Sequence, residues 1–319
     1  MTQTRSGFFA LIGAYTIWGL SALYYREVTH VPALEVLAHR TVWSFIAFFG
    51  IIAAQGRIRE MFALLHPRTR GQGLSRIAPA AFVISINWFL FVYAIQSDST
   101  LEASLAYYIY PLMAAGVGWV LFSERLHGLQ YLSMGLGIVA VTVLTVGLGA
   151  VPWLALMMSA TFMTYGTIKK GLAAGPVIAM AAETTLIAPF ALIYLIGAEL
   201  WGWGGSAAQP AGAFGADLWS SFVLMLAGVV TGVPLLLFSM AARRLSLTVV
   251  GLGNYYNATL QLIVAVTIFD QVITPSHSIA LPLIWVALAA FTFESFRRER
   301  QDRKARTAAT SSSTLPTEV

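Results

Sequence analysis

The chain has 319 residues, 58% of them hydrophobic and 10% charged, with a mean hydropathy of +0.74. A soluble domain carries about 25% charged residues, so a water-solvated surface is excluded and the chain reads as an all-α integral membrane protein. The absence of cysteine excludes disulfides, thiolate metal sites and cysteine nucleophiles, while the net charge of +5 has to be explained by where its basic residues lie.

In chain order, MTQTRSGFF runs into the first apolar segment (7–28) without an A-x-A-like cleavage site, so a retained helix is expected in place of a removed signal peptide. Trp18 lies at the middle of this segment. The second (33–54) holds Glu35, His39 and Arg40. Glu35 and His39 share a face, and Arg40 is turned some 100° from it, roughly 10 Å along the axis at 1.5 Å per residue. RIREMFALLHPRTRGQGLSR (57–76) reads as a basic amphipathic helix on the inner membrane face, broken at Pro67. The third segment (75–96) carries Asn87 at mid-span. The fourth (101–121) opens with Glu102, at a depth that allows pairing with Arg40 and equally a helix-dipole role. Tyr107, Tyr108, Tyr110 and the kinking Pro111 follow.

The fifth segment (128–147) is featureless. The sixth (151–168) holds Tyr165, the seventh (177–198) Glu183 and the eighth (218–240) Pro234. In the ninth (248–268), Asn254 and Asn257 bracket Tyr255 and Tyr256, and Glu294 lies in the tenth (279–297). These stretches are continuous, about 20 residues long, where barrel strands would be about 10 and alternating. The polar segment 298–319 reads as a disordered cytoplasmic tail.

All Lys and Arg residues but Arg26 and Arg40 fall at one side if the N-terminus is inside, so both termini are expected in the cytoplasm. The basic balance then reports topology and anionic lipid, and no nucleic-acid partner is expected. Displacing the sequence by 147 positions sets Trp18-Gly19 on Tyr165-Gly166, Leu90-Phe91 on Leu237-Phe238, Tyr108 on Tyr255 and Val139-Ala140 on Val286-Ala287. Five spans per half is an odd number, so the halves 1–147 and 148–297 enter the membrane in opposite senses. The expected architecture is ten transmembrane helices in two inverted five-helix repeats, a design in which substrate binds near the midplane and access alternates.

Ionisable groups inside a bilayer cost about 2.5–3.5 kcal/mol each and mark function, and buried amides need partners. The candidate substrate cavity is therefore Trp18, Arg40, Asn87, Glu102, Tyr107 and Tyr108 from the first half, with Tyr165, Glu183, Asn254 and Tyr255 from the second. Pro111 and Pro234 are candidate kinks or gates. There is no Walker-type motif, no H-E-x-x-H and no G-x-S-x-G elbow, and the five histidines form no metal pair. No cofactor or metal is expected, and no enzyme, although a membrane enzyme and a non-transporting scaffold remain the alternatives. The proton is a candidate coupling ion, through Glu102 or Glu183, and a monomer or weak homodimer is expected.

AYTIWG, VPALEVLAHRTVWS, INWFLFVYA, EASLAYYIYPL with FSERL, VTGVPLLLFSMAARRLSL and LIWVALAAF together resemble the RarD branch of the EamA transporters, in the drug/metabolite transporter superfamily, over essentially the whole chain to about residue 297. The resemblance implies ten helices in two inverted repeats, a bacterial inner-membrane location, and export or exchange of small metabolites or drugs. It implies a cavity surrounded by helices one to four and six to nine, with five and ten peripheral. Trp18, Arg40, Asn87, Glu102, Tyr107, Pro111 and Glu124 stand where the family motifs have them. The second repeat departs from the pattern at Asn257-Ala258, where relatives have proline, and at Asp270-Gln271, where they have glutamate.

Overall fold

A computed structural model describes residues 2–66, 73–122, 128–169, 172, 174–242, 244–245 and 247–313. Glu124 and the Ser-Glu-Arg of its motif lie outside them. The described residues form twelve helices: α1 (Thr2–Gly19), α2 (Ser21–Arg26), α3 (Ala33–Ala54), α4 (Ile58–Leu65), α5 (Leu74–Gln96), α6 (Thr100–Phe122), α7 (Leu129–Leu148), α8 (Trp153–Lys169), α9 (Pro176–Trp201), α10 (Leu218–Ala242), α11 (Leu247–Thr267) and α12 (Pro275–Ser313). Among them the nearest thing to a sheet is one bridge between Phe214 and Asp217. Seven stretches are long and apolar enough to cross a membrane: Arg5–Arg26, Ala33–Ala54, Leu74–Gln96, Leu129–Leu148, Pro176–Trp201, Leu218–Ala241 and Pro275–Glu294. The other three expected segments are occupied by α6, α8 and α11.

Local chemistry sets the helix ends. Asp217 caps α10, its carboxylate accepting the Ser220 amide at 2.7 Å, and the Ser220 hydroxyl and amide hold the Asp217 carboxyl below the usual carboxylate range. Proline supplies the first residue of α9 and α12, where a missing N–H costs nothing. Gly202 ends α9 in the left-handed conformation (φ 67°) that a side chain would resist. Asp98 and Asp270 take the same region (φ 54° and 50°) after α5 and α11. Asp270 is thus a turn residue. Beside it, Gln271 accepts from the Leu101 amide at 2.6 Å and donates to the Asp98 carbonyl at 2.7 Å, tying the end of α11 to the start of α6.

The chain forms two compact units. The first comprises residues 1–110 and 153–272. Within it α1 packs on α10 and α11, α3 on α9 and α10, and α5 on α8 and α9. Its interior includes Phe48, Ile52, Met61, Ile77 and Ile178 to Ala182. Of the amphipathic helix expected over 57–76, residues 58–65 are α4, which buries Met61 in that interior and leaves Phe62 exposed. The break expected at Pro67 lies outside the described residues, and residues 74–76 belong to α5. The second unit comprises residues 111–152 and 273–319, built on the pairing of α7 with α12. The division between units falls inside α6, between Tyr110 and Pro111. Two local features differ from the sequence reading. The first apolar segment is broken at Leu20 into α1 and α2, and α12 continues as helix to Ser313 through the segment read as a disordered tail.

Candidate functional site

Within the first unit the predicted polar residues fall into separate groups, each held where two or three helices cross. Arg40 on α3 is buried. Its Nε donates to the Thr231 hydroxyl of α10 at 3.0 Å, and its guanidinium carbon lies 4.1 Å from the Trp88 ring centroid on α5 and 5.9 Å from that of Tyr25 on α2. It does not meet Glu102: among the described residues the ion pairs are Arg57–Glu60, Lys169–Glu183 and Arg297–Glu294.

Glu102 instead faces the start of α8, where the backbone amides of Leu154 and Ala155 donate to it. A carboxylate at the positive end of a helix is electrostatically favoured. Its Oε2 is buried without a hydrogen-bond partner. Asn87 pins the same helix one layer deeper, donating from Nδ2 to the Met158 carbonyl (2.8 Å) and the Thr161 hydroxyl (3.0 Å). Between them Ser159 donates to the Ala106 carbonyl at 2.7 Å. Helix α6 is joined to α11 as well. The Tyr108 and Thr259 hydroxyls share a 2.9 Å hydrogen bond, and Asn254 donates to the Tyr107 carbonyl at 3.3 Å. The Tyr107 side chain meets Gln261. Tyr255, half-buried on α11, accepts the Thr259 hydroxyl on its carbonyl at 2.7 Å.

Tyr165 and Glu183 do come together. Tyr165 donates to Glu183 Oε2 at 3.1 Å, and Lys169 Nζ lies 2.7 Å from both Glu183 Oε1 and the Tyr165 hydroxyl. Trp18 belongs to a different group, stacking edge-on or tilted against Tyr15 (5.9 Å) and Phe238 (5.7 Å) where α1 meets α10. Pro234 is buried on α10, one turn beyond Thr231, and Pro111 lies inside a helix that runs on to Phe122. A cleft of about 630 Å3 opens between α3, α9 and the 202–217 loop, lined by residues including Glu35, His39, Trp43, Glu199 and Phe214; none of the predicted cavity residues lines it.

Sequence reasoning missed Lys169, Trp88, Tyr25, Thr231 and Gln261. Lys169 was counted only for the side of the membrane its charge marks. Trp88 and Thr231 carried a faint signal, since each neighbours a singled-out residue: Asn87 in INWFL and Pro234 in VTGVP.

Described residues that are almost wholly helical, with many apolar spans that keep a guanidinium, carboxylates and amides among them, define a multi-pass membrane protein. Comparison with known proteins makes that class specific. The model of the EamA-like transporter family matches residues 5–146. Protein RarD of Streptomyces exfoliatus is 36% identical over 305 residues, covering 94% of this chain and 92% of that protein. A Bacillus subtilis (strain 168) protein named as the uncharacterized transporter YojE is 32% identical over 301 residues, covering 94% and 98%. A crystal structure of a protein 18% identical to this one superimposes with a TM-score of 0.56 over 93% of this chain and 99% of the other, which speaks to the fold alone. The chain belongs to the EamA family, in its RarD branch, and is a membrane transporter.

Proposed function

We propose that this transporter carries a small organic solute by alternating access between two inverted five-helix halves, 1–147 and 148–297, as an exporter or exchanger. It does so in a bacterial inner membrane with both termini cytoplasmic, and α6, α8 and α11 complete a set of ten spans. The observation that supports this reading best is that the packing respects the 147-residue repeat. The counterpart of α1 is α8, and that of α10 is α5; α1 packs on α10, and α8 packs on α5. Helices α3 and α9 are counterparts that pack on each other, as do α7 and α12. Tyr107 even touches its own counterpart, Asn254. Residues meet their own mates only near a pseudo-two-fold axis, the region where inverted-repeat transporters hold substrate. The cavity drawn from Trp18, Arg40, Asn87, Glu102, Tyr107 and Tyr108 with Tyr165, Glu183, Asn254 and Tyr255 would close around that axis. Pro111 and Pro234 would loosen its walls, and Glu102 or Glu183 would take a coupling proton.

The test is untargeted metabolite profiling of deletion and overexpression strains, then flux of each changed solute into liposomes holding the purified protein, with and without a proton gradient. At least one solute is expected to cross only in protein-containing liposomes. Chemical conversion of the solute without movement, or no movement of any solute, would overturn the reading in favour of a membrane enzyme or a scaffold.

A further inference from the structure

Arg40 is a buried cation that the described residues leave without an anion. Its residue is 8% exposed, and Glu35, Glu102, Glu183 and Glu294 are engaged elsewhere. Glu35 accepts the Gly212 and Ala213 amides, Glu102 meets the start of α8, Glu183 pairs with Lys169, and Glu294 lies 3.7 Å from Arg297. What surrounds Arg40 is aromatic and neutral: Trp88, Tyr25 and the Thr231 hydroxyl. An aromatic face holds a cation by about 0.5–2 kcal/mol, less than the insertion cost of about 2.5–3.5 kcal/mol for an arginine in a membrane helix. The arrangement is electrostatically incomplete.

Its geometry indicates what completes it. Thr231 takes the Nε donor and the Tyr25 hydroxyl also meets the guanidinium, so the remaining Nη N–H groups are the part left to bind the oxygens of a carboxylate or phosphate. Four residues along the same face of α3 lies Ser44, fully buried, whose hydroxyl has no hydrogen-bond partner. Buried hydroxyls are almost always satisfied, so an orphan one turn from an unpaired guanidinium is a second, independent sign of a missing acceptor. Trp88 supplies a flat apolar wall beside the fork.

We infer that Arg40 and Ser44 bind the carboxylate or phosphate of the transported solute, which makes the substrate a small organic anion. The inference builds on the transporter reading above and narrows it. The same chemistry is present in the headgroup of an anionic phospholipid, which the experiment separates from a free solute.

The test uses the purified full-length protein in zwitterionic detergent. Probes are acetate, succinate, phenylacetate and phenyl phosphate, each set against its uncharged amide or alcohol counterpart, with any solute found by profiling added, and short-chain phosphatidylglycerol as a separate arm. Binding is read as a rise in thermal midpoint and flux as uptake into liposomes. One or more soluble anions should bind the wild type, bind Arg40→Lys more weakly because the planar fork is lost while the charge is kept, and bind Arg40→Gln at least about tenfold more weakly, as expected for losing a charge-assisted hydrogen bond. Ser44→Ala should fold with an unchanged unliganded midpoint and bind the anion several-fold more weakly, which keeps the test decisive if Arg40→Gln does not fold. Binding of neutral counterparts as tight as that of the anions, or anion binding untouched by Ser44→Ala and Arg40→Gln, overturns the site. Binding of phosphatidylglycerol alone overturns the soluble-anion assignment. Anion binding without flux leaves the site standing and overturns transport, whereas neutral solutes crossing at rates independent of residue 40 leave transport standing and overturn the site.

Discussion

At the residue scale, Glu183 shows what an intramembrane acid reveals and what it hides. Its presence in an apolar helix marked it as a candidate, but its partner was not legible. Lys169 sits at the end of α8, 14 positions away in sequence, and a sequence reports the depth of such a residue without the angle at which it points. The pairing of Arg40 with Glu102 failed for the same reason. Similar depth allowed it, while the azimuth of α6 turned Glu102 to the amides of α8. In the structure Glu183 is 2% exposed at its side chain and Lys169 21%, and they lie 2.7 Å apart. Breaking a buried pair leaves one charge uncompensated and costs about 3–5 kcal/mol, whereas replacing both partners by apolar groups is often neutral. Glu183→Leu and Lys169→Met are each expected to lower the thermal midpoint of the purified protein sharply, and the double variant should recover most of the loss. A double variant as unstable as the sum of the singles would sink the ion-pair account.

At the scale of elements, the apolar runs were legible almost to the residue: 33–54 is α3 (Ala33–Ala54), and 177–198 lies inside α9 (Pro176–Trp201). Where polarity and helix propensity disagree, reading from hydropathy fails. The segment after 297 is too polar to bury itself, yet its Arg, Gln, Lys and Ala residues are strong helix formers, and α12 runs on to Ser313. Helix contacts were not legible either, because they depend on small residues whose neighbours are remote in sequence. Gly228 is such a residue. A Cβ there would lie 2.6 Å from the Trp43 carbonyl oxygen, so α10 and α3 touch backbone to backbone, one turn from the Arg40–Thr231 hydrogen bond. A main-chain oxygen cannot swing aside as a side chain can. Gly228→Ala should therefore cost about 1–3 kcal/mol, the usual cost of overpacking. Gly50 on α3 has nothing within 4 Å of the same added atom, and Gly50→Ala should be neutral or stabilising by about 0.5–1 kcal/mol. Thermal unfolding in detergent compares the two; equal effects would show that the close approach of α3 and α10 is not what Gly228 serves.

At the scale of the whole molecule, the repeat was faintly legible and the compact units were not. One register of weak matches, offset by 147 residues, ran through both halves. The units cut across that register: each half contributes to both, and α6 is divided at Pro111. No sequence period marks such a division, since it arises from helices meeting counterparts from the other half. Orientation is the property most open to direct test. In the proposed ten-span arrangement an odd number of spans per half turns the second half over, and the basic residues then gather on one side, leaving only Arg26 and Arg40 elsewhere. The chain has no native cysteine, so single cysteines report position without background. Gln209, in the loop between α9 and α10, donates to the Thr29 carbonyl at 2.6 Å, so the loops after α2 and α9 lie on one side. With both termini cytoplasmic, Gln209→Cys and Ser97→Cys should react with a membrane-impermeant maleimide in intact cells. Arg5→Cys and Arg57→Cys should react only after the membrane is opened. Labelling of Arg57→Cys from outside, or of Gln209→Cys only from inside, would invert the topology. Opposite behaviour of Gln209→Cys and Ser97→Cys would mean that the second half is not inverted, and alternating access between mirrored halves would lose its structural basis.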